Sequence, residues 1–158
     1  MTGVQTCALP ICRIATEEAF SIPEVAAALQ GICRSPGSGI DMMLVRKIYD
    51  AANSPGYQGR FLAPLLDIEG ERLRDMDANG VDMQLLSLTA PGVQLFDADT
   101  ATELAAVAND RLAEVIRRHP ARFAGLGSFA PHSPKRAVRE MERSEETRLN
   151  SSHLGISY

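Results

Sequence analysis

The stretch VDMQLLSLT, from Val81 to Thr89, decides the fold class of this chain. It is a mostly apolar run of strand length, which is typical of a strand that is covered on both faces. A charged helix is predicted before it, over Phe61–Ala78, and Gly80 suits the C-terminal cap of that helix. A long helix with an apolar stripe that includes Leu112 is predicted after it. A buried strand between two helices indicates a βα unit of a parallel sheet.

The same alternation extends along the chain in both directions. RIATEEAF at 13–20 and RFAGLGSFA at 122–130 are the other predicted strands. The order strand, helices, strand, helix, strand, helix favours parallel βα units, in an open doubly wound sheet or in a closed barrel. No glycine fingerprint for a dinucleotide follows any predicted strand. The other predicted helices are Glu24–Leu29 after the capping box Ser21-x-x-Glu24, Asp41 to about Ala52, the helix after the capping box Thr100-x-x-Glu103, and the helix that begins at Ser133-Pro134.

The composition is that of an ordinary soluble globular domain. The chain has 158 residues, of which 45% are hydrophobic and 23% charged, with a formal net charge of −4. No run reaches membrane-spanning length, and no basic stripe offers the phosphate neutralisation that nucleic-acid binding needs. Cys7, Cys12 and Cys33 have no metal-type spacing. We therefore expect a protein of the reducing cytoplasm, without a membrane or nucleic-acid partner.

The two ends of the chain are interpreted as non-biological. Codons can be chosen for residues 1–11 and 143–153 that make the two DNA strings reverse complements, apart from one dropped and one extra base. Both strings resemble a common short-read sequencing adapter. Residues 1–12 and 143–158 are therefore predicted to be translated adapter and are excluded from the fold argument, with real flexible termini as the alternative. Residues 13–142 are then a piece of a longer protein, called the parent protein below.

In either architecture, ligands bind at the carboxyl ends of the strands. The stretches expected there are Glu17-Glu18-Ala19, residues 87–91 and residues 129–132. A carboxylate at the end of the first strand is a suitable ligand for a hard or borderline divalent metal, so Glu17 is a candidate ligand. A solvated strand end, or a partner for a helix N-terminus, would explain the same residue without a metal. No cluster of histidine, aspartate and cysteine completes a site in the sequence.

Three motifs take the interpretation further: IATEEAFSIPE at 14–24, GERLRDMDANGVDMQLLSLTAPGVQ at 70–94 and ANDRLAEVIRRHPARFAGLGSFAP at 108–131. In this order they resemble the N-terminal part of the amidohydrolase-related metal-dependent decarboxylases, which include the 5-carboxyvanillate and dihydroxybenzoate decarboxylases. The resemblance implies an α/β fold, a partial (β/α)₈ TIM barrel of which residues 13–142 supply roughly the first three βα units. It also implies that the parent protein decarboxylates hydroxylated aromatic acids, with Mn²⁺ or Zn²⁺ as cofactor.

The resemblance assigns the metal ligand to the first strand, where the family often has the pattern E-x-H. Here the pattern is Glu17-Glu18-Ala19, so Glu17 is the implied ligand and Ala19, at the histidine position, cannot bind metal. Glu18 is expected to point to the opposite face, because side chains alternate along a strand. The later histidine and aspartate ligands of the family have no counterpart in this chain, so no catalytic residue is assigned. His119, at a helix end before a proline, is interpreted as structural.

The implied substrate-binding residues lie in two regions. Thr89 and the turn Ala90-Pro91 are expected to line the mouth after the second strand, and His132 lies at the mouth after the third. A structural hydroxyl and an exposed loop histidine are the alternatives for Thr89 and His132. Arg60 and Tyr57 lie in the segment where the family holds the substrate carboxylate, and arginine suits bidentate carboxylate binding.

Two other functions stay open at this point. One is a metal-dependent hydrolase of esters, lactones or amides on the same barrel, and the other is a non-enzymatic α/β binding domain. The parent protein is expected to bind a small aromatic carboxylate and to form a homo-oligomer. The chain as given is expected to be inactive and poorly folded, because three barrel strands leave open sheet edges and an uncovered apolar face.

Overall fold

A computed structural model describes residues 12–36, 39–50, 56 and 58–146 of the chain. The described residues form parallel strands and connecting helices in the alternating order that the sequence predicts. Most of the predicted adapter segments, and Tyr57, lie outside the described residues. The strands are β1 (Ile14–Phe20), β2 (Met83–Leu88) and β3 (Phe123–Gly125), and the helices are α1 (Pro23–Ile32), α2 (Ile40–Tyr49), a π-helical turn (Gln58–Leu62), α3 (Ala63–Leu66), α4 (Glu71–Asn79), α5 (Ala98–Arg118) and α6 (Pro134–Glu146).

Parallel pairing runs through β2, the central strand in the order β1-β2-β3. On one side β2 pairs with β1, and on the other side it pairs with β3. The register with β1 shifts between Ala15, which is opposite Gln84, and Glu18, which is opposite Leu86. β1 therefore carries one residue more than β2 over this stretch, as in a β-bulge. The α/β class with a parallel sheet is confirmed.

The core lies between the sheet and the helices that cover one of its faces. Phe20, Leu86 and Phe123, one residue from each strand, are almost fully buried. Helix α5 packs so close to β3 that a Cβ atom added at Gly125 would lie 2.5 Å from Cδ2 of Leu112. The glycine in β3 is therefore required by the close approach of the helix. The predicted apolar stripe of α5 is confirmed, because its members are buried or partly buried in this core: Leu104, Ala108, Leu112, Val115 and Ile116.

The prediction of one helix over Phe61–Ala78 is wrong. The chain forms the π-helical turn and α3, and the helical structure is interrupted between Leu66 and Glu71, where α4 begins. The carboxylate of Asp67 accepts hydrogen bonds from the main-chain N–H groups of Gly70 and Glu71, both at 2.7 Å, and a new helix begins there. Aspartate competes with helical hydrogen bonds in this way, and the two bonds hold the pKa of Asp67 below its usual value. The predicted cap is confirmed, because Gly80 adopts the left-handed conformation with φ 65°.

Both predicted capping boxes are absent from the helix starts. Helix α1 has Ile22 as its N-cap and no side-chain cap bond, while Ser21 is buried. Helix α5 begins earlier than predicted, with Asp97 as its N-cap. The Asp97 carboxylate accepts bonds from the N–H groups of Asp99 and Thr100, and the Thr100 hydroxyl donates to it at 2.7 Å. Aspartate is among the strongest N-cap residues, so it takes the position expected of Thr100.

Several element ends also differ from the prediction. Strand β3 stops at Gly125 instead of Ala130, because the chain beyond it turns towards α5. Helix α1 continues to Ile32, three residues beyond its predicted end at Leu29. Helix α2 begins at Ile40, so Asp41 lies in its first turn and does not cap it. Each error is of a few residues and leaves the order of elements unchanged.

Within the described residues, the sheet has two unpaired edges, one at β1 and one at β3. β1 and β3 each pair along one edge only. Ile14 in β1 is 44% exposed, and Leu126 directly after β3 is 50% exposed. Among the residues that the structure describes, no helix is both long and apolar enough to cross a membrane.

We expect the 158-residue chain alone to melt without a sharp transition and to self-associate. Its unpaired strand edges and exposed apolar residues offer contacts to other chains instead of a closed core. Thermal unfolding followed by circular dichroism, with light scattering at several protein concentrations, measures both properties. A sharp, concentration-independent melt of a monomer would contradict this expectation.

Candidate functional site

The carboxyl ends of the strands lie next to one another. The N–H of Thr89, just after β2, donates to the carbonyl oxygen of Phe20 at the end of β1, at 2.8 Å. The N–H of Leu126, just after β3, donates to the carbonyl oxygen of Leu86 at 2.9 Å. In parallel α/β folds this edge is where ligands bind. The candidate site is therefore built around these strand ends.

Glu17 lies in the irregular part of β1 and is exposed. Its neighbour Glu18 is turned to the helix-covered face, where its Oε2 lies 3.6 Å from Nη1 of Arg72 on α4. This is the face that the sequence predicts for Glu18. Among the described residues, no hydrogen bond or ion pair engages the carboxylate of Glu17. Its oxygens are therefore open to an external ligand.

The chemistry of Glu17 fits a divalent metal as one ligand of a larger set. Carboxylate oxygens suit Mn²⁺, and Zn²⁺ accepts them together with histidine nitrogen. Within the described ranges, no group of three or more His, Cys, Asp and Glu side chains is arranged to hold a metal ion. Glu17 thus supplies a single donor group of the larger set that such an ion needs.

Arg72 holds β1 from behind the sheet. Its side chain is 11% exposed. Nη2 donates to the carbonyl oxygen of Ala19 at 2.7 Å and makes a longer contact of 3.4 Å to that of Pro64, and Nη1 donates to Oε1 of Gln84 on β2 at 3.1 Å. Burial lowers the pKa of the guanidinium, while the nearby carboxylate of Glu18 acts in the opposite direction. The side chain of Arg72 therefore joins β1 to β2 close to Glu17, the candidate metal ligand.

A cavity of about 240 Å³ opens at the carboxyl ends of β2 and β3. Ala90 and Pro91, two of the predicted substrate-binding residues, line it and are joined by a cis peptide bond. Gly92 closes this turn with φ 59°, and its N–H donates to the carbonyl oxygen of Thr89 at 2.8 Å. Phe129 lines the cavity from the loop after β3. The cavity therefore combines the two loops that the sequence predicts at the mouth.

The other predicted residues lie at different distances from this cavity. His132 places Nε2 3.0 Å from the carbonyl oxygen of Gln94, a cavity-lining residue, and so ties the two loops together. Arg60 is exposed on the π-helical turn, with its guanidinium carbon 5.5 Å from the ring centroid of Phe61, and it is not part of the cavity wall. Tyr57 lies outside the described residues. The roles of these residues stay predictions.

His119 has structural partners. Its Nε2 lies 3.0 Å from Oε1 of Glu69, and its ring meets the ring of Phe123 edge-on, with the centroids 5.9 Å apart. Arg118 also donates to Glu69, and these contacts hold the pKa of that carboxyl below its usual value. This arrangement agrees with the structural interpretation of His119.

Asn109, a polar residue of α5 that is 1% exposed, is a functional residue that the sequence did not predict. Its Oδ1 accepts from the N–H of Ser128 at 2.7 Å, and its Nδ2 donates to the Ser128 carbonyl at 3.0 Å and to Oε1 of Glu140 at 2.7 Å. Arg143 joins Glu140 to Asp110, and the two carboxylates raise its pKa. Asn109 therefore fixes the loop that carries Ser128 to the mouth. The signal was an asparagine, a weak helix former, inside a long helix beside its apolar stripe.

Arg143 is also the first residue of the predicted adapter segment. Helix α6 continues through it to Glu146. A helix can extend through residues of any codon origin, so the adapter interpretation stays a prediction.

Comparison with known proteins adds independent findings. A family model described as amidohydrolase matches residues 60–149, more than half of the chain. The gamma-resorcylate decarboxylase of Rhizobium radiobacter is 35% identical over 132 residues, which are 83% of this chain and 34% of that protein. Three curated relatives match 83% of this chain, and the chain spans about a third of the length of each of them.

Solved structures of decarboxylases also match most of this chain. The 5-carboxyvanillate decarboxylase of Sphingomonas paucimobilis matches with a TM-score of 0.81 and 51% identity, over 89% of this chain and 42% of that chain. The 5-carboxyvanillate decarboxylase of Novosphingobium aromaticivorans, solved with manganese and 4-hydroxy-3-methoxy-5-nitrobenzoic acid, matches with a TM-score of 0.77 and 38% identity, over 87% of this chain and 39% of that chain. The predicted partial (β/α)₈ barrel agrees with these likenesses.

We expect Asn109→Ala to lower the free energy of unfolding of the parent protein by about 2–3 kcal/mol. The substitution leaves the Ser128 main chain without its side-chain partner and removes one of the donors to the buried Glu140 carboxylate. Denaturant unfolding gives the energy, and hydrogen exchange at the Ser128 amide tests the mechanism.

Asn79→Ala is the matched control. Asn79 is exposed, and among the described residues its side chain bonds only to the Asp75 carbonyl of its own helix, so we expect a loss below about 0.5 kcal/mol. Equal losses in the two variants, with Ser128 still protected in Asn109→Ala, would contradict the assigned role.

Proposed function

The chain belongs to the amidohydrolase family, and from this premise we propose that its parent protein is a metal-dependent decarboxylase of hydroxylated aromatic acids. The reaction is non-oxidative: the bond between the ring carbon and the carboxylate breaks, carbon dioxide leaves, and a proton takes its place on the ring carbon. Residues 13–142 form the N-terminal part of the parent protein, and residues 1–12 and 143–158 derive from sequencing adapter. We assign no proton donor within residues 13–142.

One juxtaposition carries the proposal. An exposed carboxylate, Glu17, lies on the strand whose carboxyl end is bonded to the turn that lines the cavity. Relatives named for decarboxylation of aromatic acids match most of this chain. A hydrolase or a binding domain could use the same fold, but the named relatives favour decarboxylation.

Glu17 is the residue that would hold the metal ion, Mn²⁺ or Zn²⁺, in this segment. A bound ion would supply Lewis acidity towards the carboxylate and the ortho-hydroxyl of the substrate. The manganese reported in the Novosphingobium structure supports this proposal. Glu18 is not proposed as a ligand of the metal ion, since its carboxylate faces Arg72 behind the sheet.

The predicted substrate-binding residues would bind and enclose the substrate. Ala90-Pro91 form part of the cavity wall after β2, where buried Pro91 helps to exclude water and so strengthens the electrostatic interactions inside. Thr89 directly precedes this wall and would contact the substrate from its edge. His132 borders the same wall through its contact with Gln94. Arg60 and Tyr57 would hold the substrate carboxylate, and the planar guanidinium of arginine matches a carboxylate in two parallel hydrogen bonds.

The proposed setting of the parent protein follows from the same reasoning. A small aromatic carboxylate is its partner, and neither nucleic acid nor a membrane is. We place it in the cytoplasm as a homo-oligomer. The acidic net charge of −4 supports the exclusion of nucleic acid.

We expect the purified parent protein, loaded with Mn²⁺, to consume 5-carboxyvanillate or 2,6-dihydroxybenzoate and to release carbon dioxide. Loss of the ultraviolet absorbance of the acid, together with a carbon dioxide assay, measures the reaction. Chelation should remove the activity, and added Mn²⁺ or Zn²⁺ should restore it. Turnover only of esters, lactones or amides would establish the hydrolase instead.

Glu17→Gln should lower kcat/KM at least about 100-fold, since even the outer partners of metal ligands typically contribute 10–100-fold. Glu18→Gln is the matched control on the neighbouring residue. Its contact with Arg72 is long and partly exposed, so we expect a loss below about tenfold. A larger loss in Glu18→Gln than in Glu17→Gln would reverse the assignment of the two carboxylates.

A further inference from the structure

Main-chain pairing does not fix the position of Glu17. The register of β1 against β2 shifts between Ala15 and Glu18, and Thr16 and Glu17 have no partner residue on β2. A bulge of this kind interrupts the ladder and re-aims the side chains within it. A metal ligand, however, must be held to within about half an ångström of its productive position. Some other contact must therefore set the geometry of this segment.

Arg72 makes the contacts that bridge the irregular segment. On the far side of the bulge, its Nη2 donates to the carbonyl oxygen of Ala19 at 2.7 Å and its Nη1 lies 3.6 Å from Oε2 of Glu18. On the near side, Nη1 donates to the side chain of Gln84, the β2 residue opposite Ala15. The guanidinium thus spans the two ends of the stretch that contains Glu17.

The choice of arginine is informative, because a buried cation is expensive. Taking a guanidinium out of water costs free energy that an apolar side chain on this face would not cost. In return, a planar fork reaches several acceptors at fixed angles, which an ammonium group does not. The guanidinium of Arg72 contacts a carbonyl, an amide and a carboxylate oxygen in this way.

We propose that Arg72 is a positioning residue that fixes the bulge of β1 and thereby aims Glu17 at the metal ion. It acts through Ala19, Glu18 and Gln84 from the face opposite to the site, and it touches neither metal nor substrate. The inference rests on the proposed function, since it takes Glu17 as the metal ligand. It predicts that metal affinity depends on a residue of α4 behind the sheet.

The test measures the Mn²⁺ affinity of the metal-free parent protein by titration calorimetry, and hydrogen exchange of the amides at 16–19. Arg72→Lys keeps the charge but loses the fork. We expect it to weaken Mn²⁺ binding about 10–100-fold, the usual effect of losing an outer partner of a ligand, and to speed exchange at 16–19. Gln84→Met, which removes one acceptor at similar volume, should give a smaller loss in the same direction and serves if Arg72→Lys does not fold.

Arg122→Lys is the matched control. Arg122 also bridges elements through main-chain carbonyls, those of Asp82 and Val81, and it pairs with Asp77, but it does so at the amino end of β2. It should lower thermal stability without changing Mn²⁺ affinity. Glu17→Gln, which tests the proposed ligand itself, should weaken binding more than Arg72→Lys.

The outcomes separate the two ideas. Weaker binding in Arg72→Lys and Glu17→Gln, with unchanged binding in Arg122→Lys, supports the positioning role. If Glu17→Gln weakens binding but Arg72→Lys behaves like Arg122→Lys, the positioning role is wrong and the proposed ligand stands. If Glu17→Gln binds Mn²⁺ as tightly as the unaltered protein, the ligand assignment fails and the positioning role fails with it.

Discussion

The pairing of β2 with a strand on each side is the constraint on which the rest of the structure depends. Every strand contact that the structure describes has β2 as one partner. Parallel pairing requires a crossover between consecutive strands, so the helices must lie between β1, β2 and β3 in sequence and pack on the sheet. The same geometry gathers the three carboxyl ends at one edge, where Thr89 bonds to Phe20. The position of the candidate site is therefore a consequence of the sheet.

Two buried polar side chains bond to main chain at or just beyond the strand ends. Arg72 donates to the carbonyl of Ala19 beside the bulge, and Asn109 exchanges two bonds with Ser128 beyond the short β3. Buried main-chain polar groups need such partners, because an unsatisfied group costs the full penalty of desolvation. Both side chains come from helices on the covered face and act on the strand end or loop that faces the site. Stability and site geometry are thus supplied by the same contacts.

Sequence reasoning could predict those parts of the fold that local pattern determines. The strand β2, the stripe of α5 and the cap at Gly80 depend on neighbouring residues, and all are confirmed. The cover expected on both faces of β2 is not seen among the described residues, where only Gln84 and Leu86, at alternate positions, are buried. The break before α4 was missed because the charged pattern continues through it. Asp67 interrupts the helix where Gly70 lets the chain approach its carboxylate, since a Cβ at residue 70 would lie 2.6 Å from Oδ1.

The end of β3 and the wall of the cavity were harder still, since they depend on contacts between distant residues. Asn109 draws Ser128 away from the sheet across 19 residues of sequence, and no local pattern contains that contact. The orientation of Glu18, in contrast, needs only the period of a strand, and its carboxylate lies beside Arg72 on the helix-covered face.

A single carboxylate in water binds a divalent ion weakly, because the ion keeps most of its hydration shell until several ligands replace it. A barrel solves this problem by bringing side chains from different strands to one mouth, each held by its own strand. Each strand then contributes the position and orientation of its ligand side chain. That orientation depends on contacts behind the sheet as much as on the ligand residue itself. For this reason the sequence could nominate Glu17 as a ligand, whereas Arg72, which has no donor atom for a metal, became visible only in the folded structure.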